Sequence, residues 1–268
     1  MFRRGALFTL LWSLTSCAAQ DISPAASADV TFAVSDGAVT GPDSMAPGWT
    51  RLRVEEHGGN HRVVIFRIAE SITDANLTTF LAVLDTANFT PPPTLALGGS
   101  EIGDSGDIVL QLTPGRYILA CVVRDGDGHR HLSIGEAKTL VVTNAQVSAA
   151  RDRPPVATQE VKMVDFAFVG PERWPAGSHM LRVPNEGRQD HVLILARLRP
   201  GSSLQDWMKA PDDIATPVAG VARIGPGAVA YLPVELQAGA YVAYCLVTDP
   251  STKRQHIELG MLRAIFVE

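Results

Sequence analysis

The chain of 268 residues is long enough for two ordinary domains, and its 46% hydrophobic and 19% charged residues are typical of a globular protein. Its formal net charge of −5, with no basic stripe along the lysines and arginines, offers no general attraction to nucleic acid. We therefore expect no nucleic acid among its partners.

The first residues have the features of an export signal. Arg3 and Arg4 precede an apolar run over residues 6–14, and small residues follow it. The run is too short for a comfortable membrane span, and no later stretch reaches the roughly eighteen apolar residues that a span requires. We therefore expect the mature protein to be exported and to work in the cell envelope.

The end of this signal indicates how the protein is held there. Leu14-Thr-Ser-Cys17 resembles a bacterial lipobox, in which cleavage leaves the cysteine as the lipidated first residue. The resemblance implies a signal peptide over residues 1–17, a membrane anchor on Cys17 facing the periplasm or the exterior, and a small, polar tether over residues 18–27. The alternative is an ordinary secretory signal cut near residues 18–20, with an incidental cysteine.

The first predicted domain, residues 28–144, has the short strands and turn signals of a β-sandwich. Apolar runs between turns predict strands, and apolar residues at helical spacing predict one short helix. A Pro-rich loop that includes Gly98 and Gly99 is expected to connect the helix to the last strands. The predicted strands are residues 30–34, 49–54, 61–68, 108–112, 116–123 and 139–142, and the helix is residues 74–87.

The same order of elements recurs in residues 159–268, after a linker over residues 145–158 whose proline pair indicates a semi-rigid spacer. Two copies of one β-sandwich, each with a short helical insertion, are the simplest interpretation, so we predict the all-β class. In the second copy the predicted strands are residues 161–168, 174–183, 191–195, 228–236, 240–247 and 262–267, with a turn-forming segment from residue 185 before the third, and the helix is residues 203–210.

Aligning the two copies places possible metal ligands at equivalent positions. Taken alone, a cysteine in a strand is usually a small buried hydrophobic residue, and a histidine beside a turn is usually a surface group. Coincidence in both copies is much harder to accept, and thiolate, imidazole and thioether ligands suit copper. The matched pairs are His61 with His191, Cys121 with Cys245, His131 with His256, and Glu136 with Met261.

The two cysteines outside the signal also allow a disulfide, the default pairing in an oxidising compartment. Cys121 and Cys245 lie on equivalent strands of separate domains, and a disulfide would need their Cα atoms within roughly 7 Å. We therefore favour free thiols over this alternative.

The segment around Cys245 carries a family resemblance. Leu-x-x-Gly-x-Tyr-x-x-x-Cys over residues 236–245, a later His with Gly-Met after it, and an upstream Asn…His-Val strand resemble the cupredoxins, the blue-copper domains of the plastocyanin and azurin type. The resemblance implies tandem cupredoxin-like Greek-key β-sandwiches. It also implies a copper ion held by His191, Cys245 and His256, with Met261 as a weak axial ligand.

Two features depart from familiar cupredoxins. The histidine follows the cysteine by eleven residues in the second copy and by ten in the first, where the family keeps only a few, and the inserted segments resemble hairpin tips. The second departure is Glu136, which takes the axial place in the first copy. A carboxylate there would favour Cu(II) and lower the potential, or would be a solvated surface residue. His129 is a candidate substitute ligand or an exposed turn residue.

Tandem cupredoxin domains also form nitrite reductases and multicopper oxidases, whose sequences show paired His-x-His motifs and a histidine beside the copper cysteine. Here neither cysteine has a histidine beside it, and one His-x-His occurs, at residues 129–131. His57 and His179 are too few for a trinuclear centre. We therefore expect that the protein is not an enzyme.

Three functions remain. The favoured one is a lipid-anchored one-electron carrier with a redox protein partner in the cell envelope, supported by the complete ligand set of the second copy. A copper storage or delivery protein with a copper-exchange partner would better suit the Glu-capped first copy. A metal-free tandem sandwich that serves protein interaction is the third.

Overall fold

The computed structural model describes residues 29–86, 96–103, 106–210 and 214–268. The predicted signal peptide, Cys17 and the tether lie outside the described residues. Within the described part of the chain, no helix is both long enough and apolar enough to span a bilayer.

The first half is built from two facing sheets. One has the strand order β3-β9-β8-β5-β6, and the other contains β7-β4-β1-β2. Strands distant in sequence are neighbours, such as β4 with β7 and β5 with β8, as in a Greek key. The elements are β1 (Asp29–Ser35), β2 (Ala38–Thr40), β3 (Ser44–Met45), β4 (Gly48–His57), β5 (Val63–Ile68), α1 (Leu77–Thr86), β6 (Ala96–Gly103), β7 (Asp107–Leu112), β8 (Gly115–Cys121), a 3₁₀ turn (His131–Ile134) and β9 (Ala137–Val142).

The second half repeats this plan. One sheet has the order β13-β19-β18-β15-β16, a second contains β10-β14-β17, and β11 and β12 form a separate hairpin. The all-β class is therefore confirmed. The elements are β10 (Gln159–Glu160), β11 (Lys162–Val164), β12 (Ala167–Val169), β13 (Arg173–Trp174), β14 (Gly177–Pro184), β15 (His191–Leu198), α2 (Leu204–Lys209), β16 (Ala215–Ile224), β17 (Val229–Leu236), β18 (Gly239–Tyr244), a 3₁₀ turn (His256–Leu259) and β19 (Leu262–Val267).

Each helix covers the outer face of the sheet that carries the cysteine. Strand β8 is buried on both faces, because Ile118 packs in one apolar cluster with Phe80 and Leu84 of α1 while Leu119 faces the inner core. In the second half Trp207 of α2 packs in the same way against a cluster that includes Val242 of β18. The predicted helical insertions are therefore confirmed, and both pack against the strands that lead to the predicted metal-ligand positions.

The two halves share one sheet. Strands β7 and β17 pair antiparallel, which joins the sheets into the order β10-β14-β17-β7-β4-β1-β2. The residues between β9 and β10 form neither helix nor strand, and they pack on the first half. There the carbonyl of Arg151 accepts from the Trp49 N–H at 2.8 Å, and its guanidinium donates to the Ala46 carbonyl at 2.8 Å. The relative position of the halves is thus set by strand pairing as well as by the predicted linker.

Three local predictions are corrected. Residues 98–99, predicted as loop, belong to β6, which pairs with β5 at a sheet edge. Glycine gives no apolar pattern, so the sequence carries no strand signal there. Strand β16 was not predicted because Pro217 and β-bulges interrupt it, both of which an edge strand tolerates. The predicted single strand over residues 161–168 is broken by a turn at Asp165-Phe166. Asp165 is the one turn-forming residue in this apolar run, and it was not given enough weight.

Candidate metal centres

Among the described residues, two clusters of ligand-type side chains have the spacing of a metal site. One contains His61, Cys121, His131 and Glu136, and the other contains His191, Cys245 and His256. In each cluster the ligand atoms all lie within 4.8 Å of one another. The structure therefore brings together the residues that the sequence repeat placed at equivalent positions.

In the second half a hairpin spans the eleven-residue separation between Cys245 and His256 and brings the two residues together. Cys245 follows the last residue of β18, and Thr248 pairs with Gln255 in an isolated antiparallel bridge. The chain then returns, so that the N–H of Ile257 donates to the Cys245 carbonyl at 2.9 Å. His256 begins the 3₁₀ turn beside Cys245, as the predicted hairpin tip requires.

The three ligand atoms of this cluster converge in a fully buried space. The Nδ1 atoms of His191 and His256 are 3.1 Å apart, and Cys245 Sγ lies 3.5 Å from His256 Nδ1. Nitrogens at ~2.0 Å from one tetrahedral ion would be about 3.3 Å apart, and a sulfur at ~2.3 Å would lie about 3.5 Å from them. The separations therefore fit three ligands of one ion.

Met261 is attached to the same cluster through its backbone. Its N–H donates to the His256 carbonyl at 2.9 Å, and its carbonyl accepts from the Cys245 N–H at 3.2 Å. The side chain is fully buried in the core that also contains Cys245. Met261, the residue predicted as axial ligand, is therefore hydrogen-bonded through its backbone to both Cys245 and His256.

A second layer of polar groups orients the histidines. His191 Nε2 lies 3.2 Å from Asp165 Oδ1, and His256 Nε2 lies 3.2 Å from Gln189 Oε1. Gln189 in turn donates its side-chain N–H to Asp249 at 3.0 Å, which fixes the amide with its oxygen toward the ring. Because both acceptors need a hydrogen on Nε2, both Nδ1 lone pairs face the centre of the cluster.

Burial keeps the ligand groups of this cluster uncharged. It lowers the pKa of His191, although Asp165 acts in the opposite direction, and burial followed by the charge of His191 lowers the pKa of His256. Burial also raises the pKa of the Cys245 thiol, against the hydrogen bond from the Val192 N–H. Neutral imidazoles are ready to bind a metal, whereas the thiol releases a proton when it does so.

In the first half Glu136 occupies the place of Met261. Its N–H donates to the His131 carbonyl at 3.0 Å, and its carbonyl accepts from the Cys121 N–H at 2.9 Å. The Glu136 carboxylate enters the cluster, with Oε2 2.9 Å from His61 Nδ1 and 3.1 Å from His131 Nδ1. At 1% exposure it is not the solvated surface residue of the alternative interpretation.

The sulfur of the first cluster stands slightly farther from the histidines. Cys121 Sγ lies 4.0 Å from His61 Nδ1 and 3.7 Å from His131 Nδ1. Burial, followed by the adjacent Glu136, raises the pKa of the Cys121 thiol to about 11. Burial also acts to raise the pKa of Glu136. The Gly37 N–H, the Cys121 thiol and His61 oppose it and hold that pKa below its ordinary value.

The remaining candidate residues lie outside the clusters. His129, the possible substitute ligand, has its Nδ1 3.0 Å from Asp85 and a side chain that is 64% exposed, so it is a turn residue. His179 contacts Thr158 and the Pro175 carbonyl. Cys121 and Cys245 are both buried free thiols, which excludes the disulfide between them in this structure.

Sequence reasoning missed the second layer around the histidines. Asp165 and Asp36 hold equivalent positions. His191 Nε2 forms a hydrogen bond with Asp165 Oδ1, whereas His61 Nε2 lies 3.4 Å from Asp36 Oδ1 without forming one. The presence of an aspartate at this position in both copies of the repeat was the sequence signal that could have identified the pair. Gln189 and Asp249 carry no such signal, because their roles depend on how the loops fold together.

No protein-family model matches the sequence, and no curated protein matches it. Among solved structures, the chain is similar to auracyanin from the photosynthetic bacterium Roseiflexus castenholzii, at 17% identity and a TM-score of 0.30, over 41% of this chain and 94% of that one. It is similar to the blue copper protein auracyanin A from Chloroflexus aurantiacus, at 14% identity and a TM-score of 0.30, over 43% of this chain and 98% of that one.

A blue copper oxidase from Nitrosomonas europaea matches over 89% of this chain and 85% of its own, at 12% identity and a TM-score of 0.25. These proteins are of the class that the sequence resembles. Because every one of these TM-scores is below 0.5, we draw the function from the ligand geometry of the two clusters.

Proposed function

We propose that this protein binds copper in both halves and serves as a one-electron carrier in the cell envelope, anchored to the membrane through Cys17. The observation that carries the proposal is the convergence of His191 Nδ1, His256 Nδ1 and Cys245 Sγ in one buried space beside Met261. Two imidazoles, a thiolate and a thioether are the ligand set that suits mononuclear copper in electron transfer.

A metal-free role is disfavoured by the same geometry. Two lone pairs on Nδ1 atoms 3.1 Å apart face each other in a fully buried site. Buried acceptors without a donor between them cost free energy, and a bound cation removes that cost. The Cys245 thiol alone supplies one weak donor to the pair.

When bound, copper would supply the Cu(II)/Cu(I) couple, which takes one electron from a reduced protein partner and gives it to an oxidised one. The chain's part is to hold the ligands still. His191 begins a strand, Cys245 follows another, and Asp165 and Gln189 fix the imidazole rings from outside. Ligands held in this way change little between oxidation states, so reorganisation is small.

Copper storage or delivery is the second candidate, and the first cluster favours it. A buried, ionised Glu136 together with the Cys121 thiolate would give that site one more negative charge than the second site. Such a site would favour Cu(II) and hold the ion against reduction. We expect no oxidase activity, because the described residues form two separate clusters of the mononuclear type.

The test is titration of the metal-free chain with Cu(II), followed by visible absorption, EPR and chemical reduction. We expect an intense thiolate-to-copper absorption band that bleaches on reduction and returns on oxidation. Cys245→Ser should remove the contribution of the second site and leave the first, and Cys121→Ser should do the reverse.

Two results would count against a carrier. If the wild-type chain binds copper without a thiolate band at either site, the clusters are not type 1 centres. If the band forms but bound copper passes to a chelator faster than it cycles, the protein delivers copper instead.

A further inference from the structure

A cleft with a volume of ≈ 810 Å³ lies between the two halves, apart from the ligand atoms of both clusters. Apolar side chains from the second half form much of one wall, including Val192, Val218 and Leu246. Val218 and Leu246 are 42% and 43% exposed, so this apolar surface is open to solvent. A volume of this size accommodates a small organic molecule.

Positive charge gathers in this cleft although the whole chain carries a formal net charge of −5. Arg62, Arg124, Arg130 and Arg223 line it, and Asp107 is the one carboxylate among the lining residues. Asp107 is bound from the adjacent strand by Arg51 and by Arg53, whose Nε lies 2.9 Å from Oδ1. The cleft is therefore a cationic region in an acidic protein.

The arginines that line the cleft have partners within the protein, and two of their contacts with carboxylates are long. Arg124 lies 3.8 Å from Asp85, and Arg223 lies 3.9 Å from Asp190, both at the long end of ion-pair distances. Asp85 also accepts from the Arg130 backbone N–H at 2.7 Å and contacts His129. Arg124 and Arg130 face each other across an isolated antiparallel bridge. The Arg130 guanidinium donates to the Val122 carbonyl at 2.6 Å, and the Val122 N–H donates to the Arg62 carbonyl at 2.9 Å, so the three cations are grouped in one part of the cleft. Burial lowers the pKa of Arg130, and the charges of Arg124 and Arg62 act in the same direction.

The cleft adjoins both metal-binding clusters through their neighbouring residues. Arg62 and Val192 each follow a ligand histidine, and their N–H groups donate to Cys121 Sγ and Cys245 Sγ at 3.4 Å. Arg223 precedes Ile224, which pairs with His191 between β15 and β16. A negative charge in the cleft would therefore be felt at the second cluster.

We propose that the cleft between the two halves binds an amphipathic organic anion, with its apolar body against Val192, Val218 and Leu246 and its carboxylate, sulfonate or phosphate group among Arg62, Arg124, Arg130 and Arg223. The anion offsets the repulsion among the guanidinium groups, and its apolar part covers side chains that are otherwise exposed. This site uses no metal ligand, so it stands whether or not copper binds.

The test uses the complete metal-free chain and the fluorescent anion anilinonaphthalene sulfonate, with its uncharged relative phenylnaphthylamine as the comparison ligand. We expect the sulfonate to bind about tenfold more tightly than the uncharged compound, and the difference to shrink as salt is added. Arg62→Gln and Arg223→Gln should each weaken sulfonate binding about five- to tenfold.

Two further variants establish the place of binding. Val218→Glu adds a carboxylate at a solvent-exposed lining position and should abolish sulfonate binding. Arg153→Gln removes an exposed arginine outside the cleft and should leave binding unchanged. Equal binding of the charged and uncharged compounds would overturn the proposal. So would wild-type affinity in Val218→Glu, or a loss in Arg153→Gln as large as in the cleft variants. Because no copper is present, none of these outcomes depends on the proposed electron transfer.

Discussion

The two candidate metal clusters are built on the same backbone conformation and differ in the side chains around it. In both, the N–H of the cysteine donates to the carbonyl of the axial residue, at 2.9 Å for Glu136 and 3.2 Å for Met261. The surroundings diverge, because the carboxylate behind His61 is 83% exposed at Asp36 whereas its counterpart Asp165 is only 20% exposed. The fold thus determines where the ligands stand, while single side chains determine charge and contact with water.

Charge is the main consequence of this difference. With a thiolate in each cluster, the first would carry two negative charges because of Glu136, and the second would carry one. A more negative site stabilises the higher oxidation state of a bound ion. The two halves would therefore hold copper at different reduction potentials, with the second half the better electron acceptor.

Exchanging the axial residues should give the largest effect on this comparison. Glu136→Met should raise the reduction potential of the first site, and Met261→Glu should lower that of the second. Each shift should be on the order of 100 mV, since one charge at contact distance is added or removed. The measurement is a spectroscopic redox titration of each variant, with the other cysteine changed to serine so that one site reports at a time.

Glu136→Gln is the matched control for that exchange, because it removes the charge and nearly keeps the size. It should shift the potential in the same direction as Glu136→Met. If Glu136→Gln leaves the potential of the first site unchanged, the charge of Glu136 does not act on the metal, and the comparison above fails.

The second layer should give the next largest effect. Asp165→Ala removes the acceptor that holds the His191 ring at 3.2 Å, so copper affinity at the second site should fall about 10- to 100-fold. Asp36→Ala should weaken the first site less than about threefold, because that carboxylate is largely solvated and stands at 3.4 Å. Competition with a chelator of known affinity measures both changes.

Asp165 also accepts from the N–H groups of Arg188 and Gln189, so the alanine variant loosens a loop as well. Asp165→Asn retains an acceptor oxygen and serves as the control. An equal loss of affinity in Asp165→Ala and Asp36→Ala would show that exposure of the carboxylate does not distinguish the two sites.

The repeat made most of the ligand set predictable from the sequence. His61, Cys121 and His131 match their partners because a strand end and a returning hairpin are local features, which short-range patterns encode. The burial of Glu136 was harder to predict from the sequence, since a carboxylate after a turn is usually solvated. Gln189 acts through Asp249, 60 residues away, and only the tertiary structure joins them.

The sheet that joins the two halves through β7 and β17 could not be predicted from the sequence either. Strands β7 and β17 each contain a run of consecutive apolar residues, which indicates burial on both faces, but nothing in either run indicates that the two strands pair with each other. Edge strands can pair with any suitably placed edge, so the choice depends on the packing of both halves. The side chains of Trp49 and Tyr231, with ring centroids 5.1 Å apart, make that choice specific.

The smallest expected effect concerns the residue that packs over each cluster, which is Phe166 in the second half and Gly37 at the equivalent position in the first. Phe166 has a φ of 64°, and the equivalent residue of the first half is Gly37 with a φ of 84°. A residue with a side chain pays roughly 1–2 kcal/mol for this conformation. The ring of Phe166 lies edge-on to His256 with centroids 5.2 Å apart, a contact worth about 0.5–1.5 kcal/mol. Strain and contact therefore nearly cancel.

Phe166→Gly should change the free energy of unfolding by less than about 1 kcal/mol, because relief of strain offsets the lost contact. It should nevertheless speed copper loss from the second site to a chelator, since His256 loses its cover. Gly37→Phe should destabilise the first half by about 1–2 kcal/mol, because the new side chain is strained at a φ of 84° and its Cβ meets no other atom within 4 Å that would offset the strain. Denaturant unfolding and chelator kinetics measure the two effects. If Phe166→Gly leaves the rate of copper loss unchanged, the ring does not shield the site, and its conformation at positive φ serves packing alone.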